Sequence, residues 1–275
     1  MASALAAAAV DLAKAGVASP RVDAELLAAH VLGVFRGRLP LIDTIRAAEL
    51  TRFRELVEQR ARRIPLQHLL GTAAFRYVEL AVGDGVFVPR PETELLAGWG
   101  VERTMPGAVV VDLCSGSGAI AVAIADETKA GRVIAVERSP AALTWLRRNT
   151  AGYLVAEVVA GDVTDPALLS ELRGSVDVLL CNPPYVPDGT AVPAEVSGHD
   201  PAEAVFGGDD GLEIIRPVIE LAAALLKPGG SVGIEHDDVH GEAVPELLRA
   251  DGRFIEVTAH RDLTGRPRYA TARRR

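Results

Sequence analysis

"VVVDLCSGSGAIAVAIA", Val109 to Ala125, is the stretch on which the reading of the fold turns. Val109, Val110, Val111 and Leu113 form a short β-branched run broken only by Asp112, the pattern of a strand buried on both faces of a parallel sheet. Gly116 and Gly118 then interrupt it, and "AIAVAIA" resumes with helix-forming residues. Strand, Gly-rich turn and helix in that order is how an open α/β sheet presents a ligand beyond the carboxyl ends of its strands.

Working outward, "RVIAVE", "YLVAEVVA", "VDVLLCN" and "GSVGIEH" repeat the strand pattern, each separated from the next by a helical segment. This alternation predicts a parallel sheet with helices on both faces, a Rossmann-like α/β domain. "RFIEVTAHRDLTGRPRYATARR" predicts a closing hairpin. Upstream, the chain reads as helical from Met1 to about Arg63. Ser19-Pro20 supplies a cap and a first-turn proline, Gly33 a stop, and "AAELTRFRELVEQRARR" a further helix ending before Pro65. "IPLQHLLG" reads as a connector, and "FRYVELAVGDGVFVPRPETE" predicts a β-hairpin turning at Gly83-Asp84-Gly85. The expected division is a small N-terminal helical bundle with connector over residues 1–72 and a linking hairpin plus Rossmann-like domain over 73–275.

Composition narrows the function classes. With 275 residues, 49% of them hydrophobic, the chain can bury a real core. A net charge of -8 argues against gripping phosphate backbones, which draws its affinity from Lys and Arg, so no nucleic-acid partner is expected. No apolar run is long enough to span a bilayer, and the Ala-rich opening, carrying Asp11 and Lys14, reads as a helix and not a signal peptide. Cys114 and Cys181 form no CxxC pair, so neither a disulfide framework nor a metal site is expected, and a cytoplasmic location follows.

The Gly-rich turn carries the first candidate site. Gly116 and Gly118 let backbone approach a ligand closely, but Ala121 stands where a strict dinucleotide fingerprint needs its third glycine. Glu137 ends the next strand, where a carboxylate takes both hydroxyls of a ribose, as happens in NAD and S-adenosylmethionine sites alike. Asp112 beneath the turn favours a cationic sulfonium over a pyrophosphate. Asp162, after the third strand, is expected to reach the adenine. Cys114 is read as a small packed residue, since no histidine stands nearby in sequence to activate it.

"LLCNPPYVP", Leu179 to Pro187, carries the second. The fourth strand of such a sheet lies beside the first, so Asn182 should emerge next to the sulfonium end of the donor. An amide nitrogen is a poor nucleophile because its lone pair is delocalised. The Asn182 side-chain oxygen and the Pro183 carbonyl are two acceptors that together grip both hydrogens of one NH₂ and aim it. Pro183 has no N–H to compete and keeps Asn182 out of helical geometry, while Tyr185 stacks on the flat substrate group.

"PLQHLLG", "VPRPETE", "DLCSGSGAIA", "CNPPYVP", "GGDDGL" and "LKPGG", in this order, resemble the HemK-type protein-(glutamine) methyltransferases that modify peptide chain release factors. The resemblance runs from about Ala18 to the C-terminus. It implies a class I methyltransferase domain, S-adenosylmethionine as donor with S-adenosylhomocysteine as product, and the glutamine of a release-factor Gly-Gly-Gln loop as acceptor. Residue by residue it implies a donor loop of Cys114 to Gly118, Glu137 on the ribose, Asn182 touching both donor and substrate, and Pro183, Pro184 and Tyr185 completing the glutamine pocket. It also implies Arg90 and Glu92 beside the site, and Val163 against the adenine, where some members carry an aromatic. Cys114 replaces a common Gly, Glu137 a common Asp, and His240 a common Gln; His240 is read as a helix-start residue. The alternatives are the sister methylation of a ribosomal-protein glutamine, DNA adenine methylation, which "NPPY" alone would also fit, and a binding protein that does not turn over. The helical bundle is the expected docking part for a protein substrate.

Overall fold

The computed structural model describes residues 1–275, and the chain divides into two compact units. The first comprises Met1–Thr72, Val82–Asp84 and Val192–His199; the second comprises Ala73–Ala81, Gly85–Ala191 and Asp200–Arg275.

The first unit is helical. Helices α1 (Ala2–Lys14), α2 (Pro20–Leu32) and α3 (Ala47–Ala61) enclose Leu12, Leu27, Phe53 and Leu56, with a single 3₁₀ turn at Arg36–Leu41 and the short α4 at Leu66–Leu70. Pro20 opens α2 and Gly33 closes it in the left-handed conformation, but the Ser19 side chain makes no capping bond. An ion-pair cluster fastens the segment from Val192 to its own unit: the guanidinium of Arg60, buried against Asp23, reaches Glu195, which also pairs with Arg63. The Arg63 side chain is the largest of the effects that hold the Glu195 carboxyl below its usual range, at about 2, against the burial that opposes ionisation.

Apart from Thr72, the second unit contains the two-stranded pair β1 (Thr72–Phe75) and β2 (Val78–Ala81), and a seven-stranded sheet of order β5-β4-β3-β6-β7-β9-β8. Its members are β3 (Val109–Leu113), β4 (Arg132–Glu137), β5 (Ala156–Ala160), β6 (Val176–Cys181), β7 (Leu226–Glu235), β8 (Phe254–Arg261) and β9 (Pro267–Arg274). The first five run parallel, and β9 and β8 add the antiparallel hairpin.

Helices α5 (Thr93–Arg103), α6 (Ala119–Glu127) and α7 (Pro140–Thr150) bury one face of the sheet, and α10 (Ile215–Leu225) and α11 (Ala243–Ala250) the other. Two shorter helices, α8 (Ala194–His199) and α9 (Ala202–Val205), lie between β6 and α10 in the chain. Val110 joins the core on one face while Val111 and Leu113 join the other, which is why that strand carries almost no polar residue. No helix is long and apolar enough to cross a membrane.

The hairpin turns elsewhere than the glycines suggest. It reverses at Arg76-Tyr77, and Gly83-Asp84-Gly85 lies beyond β2. Arg76 takes a positive φ of 51°, and the cost of that conformation is offset by its bonds: its backbone N–H donates to Glu94 and its guanidinium pairs with Glu127.

Candidate active site

The register brings the site together. Leu113 at the end of β3 pairs with Val136 on one side and Cys181 on the other, so the Gly-rich turn, Glu137 and Asn182 leave the sheet at one level. Cys114 and Gly116 have φ of 57° and 55°, and Gly118 one of 88°. A β-carbon on Gly118 would lie 2.7 Å from a methyl of Leu146, so glycine is what lets α6 start against α7. Cys114, where the family resemblance expects glycine, holds a left-handed conformation that costs a non-glycine residue about 1–2 kcal/mol.

Glu137 shapes this turn. One carboxylate oxygen accepts the Gly116 N–H at 2.8 Å, and the other accepts those of Arg138 and Ser139 at 2.8 and 2.7 Å. Ser115 donates its hydroxyl to the Asp112 carbonyl, and Ser117, also buried, offers its carbonyl to Asn149. Asp112 is 1% exposed; Oδ2 accepts the Ala121 N–H at 3.1 Å, while Oδ1 has no partner. Burial pushes its carboxyl up to about 7. A buried carboxylate oxygen left without a donor, beneath a turn whose Gly116 has no neighbouring atoms where a side chain would stand, leaves room for a ligand that brings positive charge.

Asp162 makes a tight local turn, accepting the Thr164 amide and hydroxyl at 2.9 and 2.8 Å; the amide is the main reason its carboxyl stays below the usual range. Val163 is buried in the core shared with Leu168 and Leu169.

After β6, Pro183 and Pro184 are buried and Asn182 and Tyr185 partly so. Asn182 Nδ2 donates to Thr93 Oγ1 at 3.1 Å, and the Tyr185 hydroxyl donates to Glu235 Oε1 at 3.0 Å. The "GGDDGL" turn backs this segment: Gly207 and Gly211 lie so close that added β-carbons would stand 2.6 Å from the Pro184 carbonyl oxygen and 2.4 Å from that of Tyr185. Val186 and Gly207 complete the seam with backbone bonds to Val205 and Val186.

His240 is not the start of a helix. It ends a 3₁₀ turn at Asp238–His240, is 5% exposed, and its Nε2 lies 2.9 Å from the Asp210 carbonyl, so it anchors the same glycine turn; α11 begins three residues later. Arg90 ion-pairs with the buried Asp200 and covers the Phe87 ring at 4.6 Å, whereas Glu92 is exposed at the start of α5. Burial raises the Cys181 thiol, which keeps it protonated and inert.

Sequence reasoning passed over Glu235, Thr93 and Arg268. Glu235 ends β7 and is 1% exposed; burial pushes its carboxyl up to about 7 against the Thr93 hydroxyl, the Tyr185 hydroxyl and the Arg268 guanidinium. The signal was an acid closing the apolar run "SVGIE", in the position Asp112 and Glu137 made suspect elsewhere.

These raised carboxyls have a consequence for stability. The ordinary values are 3.8 for Asp112 and 4.5 for Glu235, and both rise to about 7 on folding. The folded state therefore binds more protons in that interval, and this contribution is fully present below the ordinary values and lost as pH rises through about 7. Glu235→Gln is expected to gain melting temperature relative to wild type at about pH 8 compared with about pH 5. Thermal melts at both values check this; a gap independent of pH contradicts it.

The turn, the acids at successive strand ends and the Asn-Pro-Pro-Tyr segment on a seven-stranded sheet are those of a methyltransferase. Family models described as PrmC N-terminal domain and methyltransferase small domain match residues 3–71 and 93–197. A release factor glutamine methyltransferase of Mycolicibacterium smegmatis is 55% identical over 99% of this chain and 97% of that protein. A 4-amino-L-phenylalanine/4-methylamino-L-phenylalanine methyltransferase of Streptomyces pristinaespiralis is 40% identical over 87% of this chain and 83% of that one. Among solved structures, the T. thermophilus 16S rRNA N2 G1207 methyltransferase shares the fold at a TM-score of 0.53 and 22% identity, over 74% of this chain and 50% of that one. The chain belongs to the release factor glutamine methyltransferase family.

Proposed function

We propose that this protein transfers a methyl group from S-adenosylmethionine to the side-chain amide nitrogen of the glutamine in the Gly-Gly-Gln loop of peptide chain release factors, in the cytoplasm where they work. The observation that carries the reading is the placement of Asn182: it leaves the sheet level with the Gly-rich turn, and its NH₂ is already engaged by Thr93.

With the NH₂ turned to Thr93, the Asn182 oxygen is the end left to accept from a substrate amide. With the Pro183 carbonyl it supplies two acceptors for the two hydrogens of one NH₂, holding the nitrogen lone pair on the line to the methyl carbon. S-adenosylmethionine, when bound, supplies an electrophilic methyl whose bond to sulfur breaks as the nitrogen attacks, leaving S-adenosylhomocysteine. Asp112, Ser115 to Gly118 and Glu137 would hold that donor, with Asp162 and Val163 on its adenine side. The Asn182 oxygen also stabilises the positive charge growing on the nitrogen. No general base is required, because the alkylated amide nitrogen is acidic enough to release its proton to water. Tyr185 and the buried prolines form the flat pocket around the glutamine, and Arg90 and Glu92 border it.

The test is methyl transfer from isotopically labelled donor to an intact release factor, beside ribosomal protein, DNA and 4-amino-L-phenylalanine. Label on the release factor alone is expected. Label on one of the others instead would overturn the substrate and keep the chemistry.

The helical unit is the proposed docking part for the protein substrate. Phe35, just before the 3₁₀ turn, and Leu41, at its end, are 86% and 80% exposed and have no packing role. Phe35→Ser with Leu41→Ser is expected to raise KM for an intact release factor about ten-fold, the scale of one interface hot spot, and to leave KM for a short Gly-Gly-Gln peptide unchanged. Equal effects on both substrates would contradict a docking role.

A further inference from the structure

Two glycines bring α5 down onto the sheet beside the site. A β-carbon on Gly100 would stand 2.4 Å from Leu180, two residues before Asn182, and one on Gly233, two residues before Glu235, would stand 2.7 Å from Leu96. The first residue of α5, Thr93, is thereby held between the ends of β6 and β7, 3% exposed. Its hydroxyl takes a hydrogen from Asn182 and is the strongest influence easing ionisation of Glu235. Glu235 Oε1 is occupied by Tyr185, and its Oε2 is buried without a hydrogen-bond partner.

We infer that the buried, unpartnered Oε2 of Glu235 draws the one hydrogen of the Thr93 hydroxyl, which makes Glu235 a positioning residue that fixes, through the Thr93–Asn182 hydrogen bond, the face that the Asn182 amide shows the substrate. This rests on the proposed role of Asn182. A threonine hydroxyl has one hydrogen, and the free Oε2 of a carboxylate accepts and cannot donate. When the hydroxyl gives its hydrogen to Glu235, its lone pairs must accept from Asn182. The asparagine NH₂ is then locked inward and its oxygen outward, where the glutamine NH₂ needs an acceptor. The same carboxylate holds the Tyr185 ring by its hydroxyl, so one buried acid orients both walls of the pocket.

Protonation of Glu235 would let it donate to Thr93 and release the asparagine to flip. The groups facing it are Arg268 from β9, Tyr185 and Cys181 on and after β6, and Thr93 and Glu92 at the start of α5; Arg268, itself paired with Asp262, favours the ionised form, and Glu92 opposes it. With donor saturating, so that Asp112 does not limit binding, kcat is expected to fall as pH drops through about 7.

Thr93→Val preserves shape and removes the relay; Thr93→Ser restores it; Glu235→Gln preserves volume but offers an NH₂ that donates to Thr93 and reverses the chain. With a Gly-Gly-Gln peptide, Thr93→Val and Glu235→Gln are each expected to lose about ten- to thirty-fold in kcat with donor Kd within about two-fold, Thr93→Ser to recover to within about three-fold, and Glu235→Gln to lose the pH dependence. Hydrogen exchange of the Asn182 side-chain amide, read by NMR, should be slow in wild type and fast in Thr93→Val, whatever the substrate. Unchanged kcat in Thr93→Val, no rescue by serine, a retained pH profile in Glu235→Gln, or unchanged exchange would each overturn the proposal. A wild-type protein inactive on glutamine but with the expected exchange pattern would overturn the substrate reading and keep the hydrogen-bond chain.

Discussion

Asn182→Ala is expected to lower kcat about 100- to 1,000-fold, the scale seen when one fixed hydrogen-bonding group is removed from a site that stabilises developing charge. The amide makes two kinds of contact. Inward, its NH₂ bonds to Thr93 at 3.1 Å; outward, on the proposed reading, its oxygen is the acceptor for the substrate amide. Alanine removes the outward contact and lets the glutamine nitrogen rotate off the line to the methyl carbon, a loss realised mainly in the transition state. Donor affinity should change by no more than about three-fold, because the turn proposed to hold the donor hangs on Glu137 and Asp112. Equilibrium binding of S-adenosylmethionine with steady-state rates on a Gly-Gly-Gln peptide separates the two effects. Donor affinity collapsing with the rate would show that Asn182 chiefly serves the donor.

Glu137→Ala should do the reverse. Its carboxylate holds three backbone N–H groups, of Gly116, Arg138 and Ser139. Hydrogen bonds to a charged group contribute about 1.5–3 kcal/mol each, so losing the Gly116 bond together with the proposed ribose contact should raise donor Kd on the order of 100-fold or more. At saturating donor, kcat should stay within about ten-fold, since Asn182 is held by Thr93 of α5 and Tyr185 by Glu235 of β7. Calorimetry on wild type and variant reads this directly, and a Kd shift below about five-fold would mean that the turn keeps its shape without the acid.

Much of this architecture was legible because it depends on local chemistry. The Val-rich run before Asp112 could only be a doubly buried strand, and the order of such runs implied the neighbouring of β3 and β6 that brings Asn182 to the donor turn. The hairpin turn was misplaced because turn propensity pointed to Gly83-Asp84-Gly85, while the pairing of Arg76 with Glu127 and Glu94, 51 and 18 residues away, moved it. His240 was misread for a similar reason: its partner, the Asp210 carbonyl, is 30 residues distant. Thr93 and Glu235 escaped notice because they lie 142 residues apart and each is buried by the packing of α5 on the sheet, where Gly100 and Gly233 admit Leu180 and Leu96. Long-range contact carries no periodicity, and a sequence read in windows does not show it.

The central claim is that this site methylates a glutamine side-chain amide, and fragmentation mass spectrometry of a release factor after incubation with the protein and S-adenosylmethionine tests it most directly. One added methyl is expected on the side chain of the Gly-Gly-Gln glutamine, and none when that glutamine is replaced by glutamate, which has no NH₂ for the acceptors to hold. A methyl on any other residue, or one that persists in the glutamate variant, would contradict it.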